Sequence, residues 1–203
     1  MVIHLLYGIQ SGDRYGMYTD SIKSVFRQSI DKTVEEAGAD SETYFLKTHE
    51  RRESGDFPAI YIVRDGRQSL ISYAHFAMRT QPESKTDFHS TLRDLILERG
   101  SKFGTWGENV ESWAQRENSV VIKFEDLISN PRKTVMGAME SLPLPLPPVS
   151  MNRLPTFREL NSSNPLHFRS GKVNSWIEEF PRDLLQMFYE HNERPLLDMG
   201  YTK

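Results

Sequence analysis

The sequence predicts an α/β fold, a three-layer αβα arrangement around a central parallel sheet. Short apolar runs rich in β-branched and aromatic residues predict buried strands at residues 42–47, 59–63 and 119–124, with a further candidate strand at 1–7. Stretches with helical spacing of apolar residues separate these runs. Strands that alternate with helices need crossover connections, which favour a parallel sheet covered on both faces.

The predicted helices follow from the spacing of apolar residues and from start signals. Apolar side chains recur at helical spacing within residues 17–36, and Pro131 is typical of a first helical turn. The same pattern predicts further helices at residues 67–79, 105–116, 131–141 and 181–193. The proline-rich stretch 142–148 cannot continue a helix and predicts a stiff connector.

Composition narrows the class of protein. A chain of 203 residues is expected to form a single domain, residues 1–203, and its net charge of −3 gives no basic field for nucleic acid. The absence of cysteine excludes disulfides and thiolate metal sites, and is compatible with a cytoplasmic location. The short apolar start lacks a basic leader, so we expect neither a signal peptide nor a membrane span.

A polar cluster follows the predicted strand at 59–63. Arg64 stands at the carboxyl end of that strand, where ligands bind in open parallel sheets. The following helix attracts anions at its N-terminus, and Ser72 lies on its early turns. Asp65 and Gln68 have the spacing of a capping box. The residues therefore predict an anion site, with the alternative that Arg64 pairs with a carboxylate and Ser72 is a surface residue.

These residues also resemble a family. The segment "RDGRQSLISY" (64–73) resembles the 3′-phosphate-binding segment of the sulfotransferases that use 3′-phosphoadenosine 5′-phosphosulfate (PAPS). Further segments resemble the family in the same order, at residues 45–50, 106–115, 120–131 and 168–176. The resemblance covers residues 42–201. It implies a P-loop-NTPase-like sulfotransferase architecture of the cytosolic type, and transfer of a sulfuryl group from PAPS to the hydroxyl or amine of a small-molecule acceptor.

The segment "KTH" supplies the candidate catalytic residues. Lys47 and His49 are two residues apart at a strand end, so their side chains are expected to reach one pocket. Histidine titrates in the range that suits a general base. The resemblance assigns the base to His49 and a supporting cationic role to Lys47. The alternative is that His49 caps the following loop and Lys47 is a solvated charge.

By the same resemblance, "FRSGKVNSW" (168–176) completes a 3′-phosphate clamp with Arg64 and Ser72. Its clamp residues are Arg169, Ser170 and Gly171. Glycine lets backbone N–H groups approach a phosphate closely. Serine at 170 replaces a lysine that is common in the family, which removes one positive charge, and Asn174 replaces the second glycine of the motif.

Two phenylalanines are predicted near the adenine. Phe124 stands where the family commonly has the tyrosine of a Tyr-Glu-Asp motif, and Phe157 matches a further aromatic position more loosely. Glu125 and Asp126 are expected to act as helix-cap carboxylates. The other histidines lack metal-ligand spacing, so no metal site is predicted.

The front of the chain departs from the family, because no Pro-Lys-Ser-Gly-Thr-Thr-Trp loop for the 5′-phosphosulfate is present. "GIQSGDRYG" (8–16) has the glycines of an anion loop but no lysine, and fewer residues separate it from Lys47 than the family pattern has there. We favour its match to a later family segment, so that the first strand, loop and helix are expected to be missing. A non-catalytic protein that binds 3′-phosphoadenosine 5′-phosphate, or an inactive fragment, is the alternative function. A kinase is disfavoured because Gly-x-x-x-x-Gly-Lys-Ser/Thr is absent. Neither the acceptor nor the oligomeric state is predicted.

Overall fold

The computed structural model describes residues 2–9, 11–13, 36, 38–39, 41, 43–51, 56–80, 87–97, 103–143, 146–151, 153–163 and 173–203. Its strands are β1 (Ser11–Asp13), β2 (Phe45–Lys47), β3 (Ala59–Val63) and β4 (Ser119–Lys123). The helices within these ranges are α1 (Val2–Tyr7), α2 (Gly66–Thr80), α3 (Phe88–Ile96), α4 (Trp106–Ala114), α5 (Phe124–Ser129), α6 (Pro131–Glu140), α7 (Phe157–Ser163), α8 (Trp176–Glu179) and α9 (Arg182–Asp198).

The strands pair in parallel, as predicted. Within the described residues β1 pairs with β2, and β3 pairs with β4. In the second pair Ala59 lies opposite Ser119 and Val63 lies opposite Lys123. Both strands of that pair therefore end at the same level, and the segments that follow them leave the sheet side by side.

Helices cover both faces of the β3–β4 pair. Neighbouring side chains of a strand point to opposite faces, so Ile60 and Tyr61 face different helical layers. Ile60 packs against the core cluster formed by Leu6 of α1 and Met139 of α6. The ring of Tyr61 stacks on Trp113 of α4, with the ring centroids 6.2 Å apart. The predicted three-layer αβα arrangement is confirmed.

A second core lies among α2, α3 and α9. Ile71, Leu92 and Phe188, one from each helix, are completely buried there. Trp106 at the start of α4 packs against this core. Helix α4 therefore lies between the β3–β4 pair and the helical core.

The predicted strand at residues 1–7 is wrong, because Val2–Tyr7 form the helix α1. A short apolar run carries no decisive period, and here the apolar residues at positions 2, 3, 6 and 7 place one helical face against α6. The other predicted helices are found close to their expected bounds, and α9 continues beyond residue 193 to Asp198. The helix predicted at 17–36 lies outside the described residues, apart from residue 36.

None of the helices in the described ranges combines the length and the apolar composition that a membrane span needs.

Helix α4 is fixed to α9 by a buried amide. The backbone N–H of Gly107 donates to Oδ1 of Asn192 at 2.8 Å, and Asn192 is completely buried. A Cβ atom at position 107 would lie 2.8 Å from the same oxygen, so the two helices approach closely only because residue 107 is glycine.

We expect Asn192→Ala to lower the free energy of unfolding by about 1–3 kcal/mol, because the Gly107 N–H is then buried without its partner. The matched control is Gln186→Ala on the exposed side of the same helix, which should change it by less than about 0.5 kcal/mol. Urea denaturation measures both. An Asn192→Ala protein as stable as the wild type would contradict the role given to this amide.

Candidate functional site

The parallel register places Arg64 beside Phe124. These residues directly follow the paired strand ends Val63 and Lys123. The guanidinium carbon of Arg64 lies 4.5 Å from the centroid of the Phe124 ring, within the range of a cation–π contact. The structure therefore brings together two of the predicted nucleotide-binding residues, one from the end of each strand.

The turn between β3 and α2 holds a buried ion pair. Nη2 and Nε of Arg67 donate to the Asp65 carboxylate at 2.7 and 3.0 Å, and Arg67 is only 3% exposed. Burial would lower the pKa of Arg67, but its hydrogen bonds to Asp65 and the charge of that carboxylate outweigh burial and raise the pKa. The hydroxyl of Tyr189 contributes in the same direction. Arg67 therefore keeps its positive charge, and the Asp65 carboxylate balances that charge.

The predicted capping box is wrong. Oδ1 of Asp65 does accept from the backbone N–H of Arg67 at 2.9 Å, which caps the first turn of α2. The amide of Gln68, however, reaches away from the turn. Its Nε2 donates to Oγ of Ser175 at 2.9 Å, and its Oε1 accepts from the backbone N–H of Trp176 at 3.1 Å.

Two side chains thus anchor the residues at 175–176 to the start of α2. Gln68 does so through its hydrogen bonds, and Arg67 through a cation–π contact, with its guanidinium 3.7 Å from the Trp176 ring centroid. The predicted clamp residues Arg169, Ser170 and Gly171 lie outside the described residues. The part of their motif that the structure describes is fixed at the turn that carries Arg64.

Ser72 lies on α2, half-buried, one turn beyond Gln68. Residues four apart share one helix face, so Ser72 lies on the face that receives Ser175 and Trp176. It is about two helical turns from the N-terminus of α2, roughly 9 Å along the helix axis. Its predicted contact with a phosphate stays a prediction.

Asn174 adopts a left-handed backbone conformation, with φ at 69°. Asparagine is among the few residues other than glycine that adopt this conformation readily. The position where the family motif has its second glycine therefore keeps the glycine-type backbone in this chain, with asparagine supplying it.

Glu125 has a structural role, in a different place from the one expected. Its Oε1 accepts from the backbone N–H of Asp65 at 3.4 Å, so it serves the start of α2. Its Oε2 accepts from the hydroxyl of Tyr201 at 2.9 Å. Burial, and then the Glu125 carboxylate, raise the pKa of Tyr201, so its hydroxyl stays protonated as a donor.

The candidate catalytic residues stand at the end of β2. Lys47 is the last residue of the strand, opposite Asp13 of β1, and is half-buried. His49 is exposed, and its ring lies edge-on to Phe103 with the centroids 5.8 Å apart. An exposed imidazole beside an aromatic ring can meet an acceptor molecule from solvent. The catalytic roles of both residues stay predictions.

Phe157 begins helix α7, and its side chain is 43% exposed. Its predicted position near the adenine also stays a prediction. Among the described residues no group of three or more carboxylates and histidines could hold a metal ion.

Sequence reasoning missed the residues that connect these segments. Arg67, Trp176 and Tyr201 join parts of the chain that are more than 70 residues apart. One signal was available for the first of these, because Arg67 and Asp65 are opposite charges two residues apart at a predicted helix start. The partners of Trp176 and Tyr201 follow only from the tertiary fold.

Comparisons with known proteins show the family and the fold of this chain. The family model described as "Sulfotransferase domain" matches residues 7–200. Sulfotransferase 1E1 of Rattus norvegicus is 22% identical over 161 residues, covering 68% of this chain and 55% of that protein. The 3-alpha-hydroxysteroid sulfotransferase of Cavia porcellus is 30% identical over 79 residues, covering 37% and 28%.

A solved structure has the same fold. Mouse sulfotransferase SULT7A1, crystallised in complex with PAP, superposes with a TM-score of 0.61 at 20% identity, covering 80% of this chain and 68% of that one. The present chain spans about half the length of the rat relative it matches. Since the family model covers nearly the whole sequence, the chain belongs to the sulfotransferase domain family.

Proposed function

We propose that this chain binds PAPS and transfers its sulfuryl group to the hydroxyl or amine of a small-molecule acceptor. The observation that carries the proposal is the position of Arg64. It stands at the carboxyl end of a parallel strand and at the N-terminus of α2, and the end of the second clamp motif is anchored to the same turn. The Arg64 guanidinium favours an anion there.

In this proposal two segments hold the 3′-phosphate of the nucleotide and two others contact its adenine. Arg64 and Ser72 bind the 3′-phosphate from the β3–α2 side. Arg169, Ser170 and Gly171 complete the clamp, and Phe124 and Phe157 contact the adenine. The neighbouring structure of SULT7A1 was solved with PAP, which supports a 3′-phosphorylated nucleotide as the ligand class.

The chemistry is an in-line displacement at sulfur. The acceptor oxygen or nitrogen forms a bond to sulfur while the bond from sulfur to the 5′-phosphate oxygen breaks. The acceptor proton passes to an imidazole nitrogen of His49, and the leaving phosphate takes the electron pair. Lys47 stabilises negative charge that develops on the transferring group. Positioning and charge stabilisation supply most of the rate in such transfers.

In the proposed function residues 1–203 form one domain, the transfer needs no metal ion, and the protein is cytoplasmic. A cysteine-free composition supports the last point.

A second candidate function is binding of 3′-phosphoadenosine 5′-phosphate without transfer. It is favoured by the sequence at 8–16, whose glycine-containing segment has no lysine to assist a leaving phosphate. The two candidates share the clamp and differ in whether the sulfuryl group is transferred.

Binding of the 3′-phosphate is tested by comparing two nucleotides. We expect 3′-phosphoadenosine 5′-phosphate to bind more tightly than AMP. Arg64→Ala should reduce that preference about ten- to hundredfold, because a charge-assisted hydrogen bond contributes about 1.5–3 kcal/mol. Calorimetry measures both affinities, and Arg182→Ala on the exposed start of α9 is the matched control. Equal affinity of the wild type for the two nucleotides would contradict a clamp that recognises the 3′-phosphate.

Catalysis is tested with labelled PAPS and a panel of phenols, alcohols and amines. We expect His49→Ala to lower turnover about a hundredfold to ten-thousandfold and to leave product-nucleotide affinity nearly unchanged, since a general base acts on the acceptor. Lys47→Ala should also lower turnover. His191→Ala, an exposed histidine on α9, is the control. Nucleotide binding by the wild type without transfer to any acceptor would favour the non-catalytic function.

A further inference from the structure

The two halves of the proposed site follow strands that belong to different pairs. His49 follows β2, and Arg64 follows β3. Within the described residues β2 and β3 are not hydrogen-bonded to one another. Within the described residues, direct strand pairing therefore does not fix the distance between the base and the 3′-phosphate site.

One face of α4 reaches both halves. Trp106, Asn109 and Trp113 recur at helical spacing and share that face. Nε1 of Trp106 donates to the backbone carbonyl of Arg64 at 3.1 Å. Nδ2 of Asn109 donates to the carbonyl of His49 at 3.1 Å, and Nε1 of Trp113 donates to the carbonyl of Glu50 at 2.9 Å. Three side-chain N–H groups of one helix thus bind carbonyls just beyond two strand ends.

Asn109 joins the two sides by itself. While its Nδ2 binds the segment after β2, its Oδ1 accepts from the hydroxyl of Tyr61 in β3 at 3.1 Å. Burial raises the pKa of Tyr61, so this hydroxyl remains a donor. A displacement of His49 relative to β3 would break one of the two hydrogen bonds.

Helix α4 is itself held firmly. Thr105 and Glu108 form a capping box at its start. At the close approach of Trp106 to Gly66, a Cβ atom on Gly66 would lie 2.6 Å from the indole ring. Together with the Gly107–Asn192 hydrogen bond, these contacts leave the helix little room to follow a shifting strand end.

We propose that α4 sets the separation between His49 and Arg64. Asn109 and Trp113 are positioning residues for the segment that carries His49, and Trp106 is a positioning residue for Arg64. The roles of His49 and Arg64 rest on the proposed function. In-line transfer makes their separation matter, since a misplacement of about 1 Å can cost on the order of a hundredfold in rate.

The test uses substitutions that each remove one donor group of α4. Asn109→Asp keeps an acceptor for the Tyr61 hydroxyl but places an oxygen against the His49 carbonyl. Trp113→Phe keeps an aromatic ring over Tyr61 and loses the donor to Glu50. Trp106→Phe removes the donor to Arg64. Glu111→Gln, on the exposed side of α4, is the matched control.

Deuterium uptake of the nucleotide-free protein is the first measurement. We expect Asn109→Asp and Trp113→Phe to speed uptake over residues 47–51 about tenfold, the effect of losing one hydrogen bond of about 1–1.5 kcal/mol. Uptake elsewhere should match the wild type. Trp106→Phe should leave uptake at 47–51 unchanged and speed it at the β3–α2 turn.

Function is the second measurement. Asn109→Asp and Trp113→Phe should lower kcat about ten- to hundredfold, with KM for PAPS and affinity for 3′-phosphoadenosine 5′-phosphate within about twofold of the wild type. Trp106→Phe should instead weaken the preference for that nucleotide over AMP. Glu111→Gln should change none of these quantities.

Two results would overturn the inference. One is an Asn109→Asp protein whose uptake at 47–51 equals that of the wild type. The other is uptake that rises along the whole chain while kcat and nucleotide affinity fall together, which is the behaviour of a helix that merely stabilises the fold. If Trp106→Phe fails to fold, the other two variants decide.

Failure of the proposed function gives a different result from failure of this inference. If the wild-type protein neither prefers 3′-phosphoadenosine 5′-phosphate over AMP nor transfers a sulfuryl group, the roles assigned to Arg64 and His49 are wrong. In that case the uptake of the free protein at 47–51 and at the β3–α2 turn still decides whether α4 holds the two segments.

Discussion

In the parallel pairing of β3 with β4, Val63 lies opposite Lys123, so the chain leaves both strands at the same level. This register is why Arg64 meets the ring of Phe124, and why Glu125 reaches the backbone of Asp65. A slip of one residue would turn every side chain of one strand to the other face. The faces of Ile60 and Tyr61 contact different helical layers, and this burial fixes the register against such a slip.

A buried ion pair holds the turn after β3. Further contacts are needed to offset the free energy that its desolvation costs. Taking Asp65 and Arg67 out of water is unfavourable, and their mutual attraction alone does not ensure a net gain. Here the pair is bidentate, Tyr189 accepts a further hydrogen bond from Arg67, and Trp176 covers the guanidinium. The arrangement gives the turn a single orientation, and it couples that orientation to the segment that follows residue 172.

Much of the fold was predictable because its signals are local. The strands at 59–63 and 119–123 are short runs rich in β-branched residues, and Pro131 opens α6 as its ring geometry favours. The run at 1–7 misled because six apolar positions fit a strand and a helix equally well, and packing against α6 decided the outcome. The capping box predicted from Gln68 was wrong for a related reason, because the Gln68 amide binds Ser175 and not its own helix start.

The site was predictable only as a set of segments. Motifs at 45–50, 64–73 and 120–131 lie at strand ends, and a parallel sheet collects strand ends at one edge. In the structure, Arg64 and Phe124 are in contact at this edge. The residues that fix the segments relative to one another, Trp106 and Asn109 among them, bind backbone carbonyls. Such contacts depend on where a helix lies and leave no pattern in the sequence.

The placement of the indole rings has a practical consequence. The chain has three tryptophans. Trp106 binds the carbonyl of Arg64, Trp113 binds that of Glu50, and Trp176 lies against Arg67. Indole emission responds to the polarity and charge around the ring, and no tryptophan lies elsewhere in the chain to dilute the signal. Excited at the long-wavelength edge of indole absorption, where its tyrosines absorb little, the unlabelled protein therefore gives fluorescence that reports on the surroundings of the candidate site.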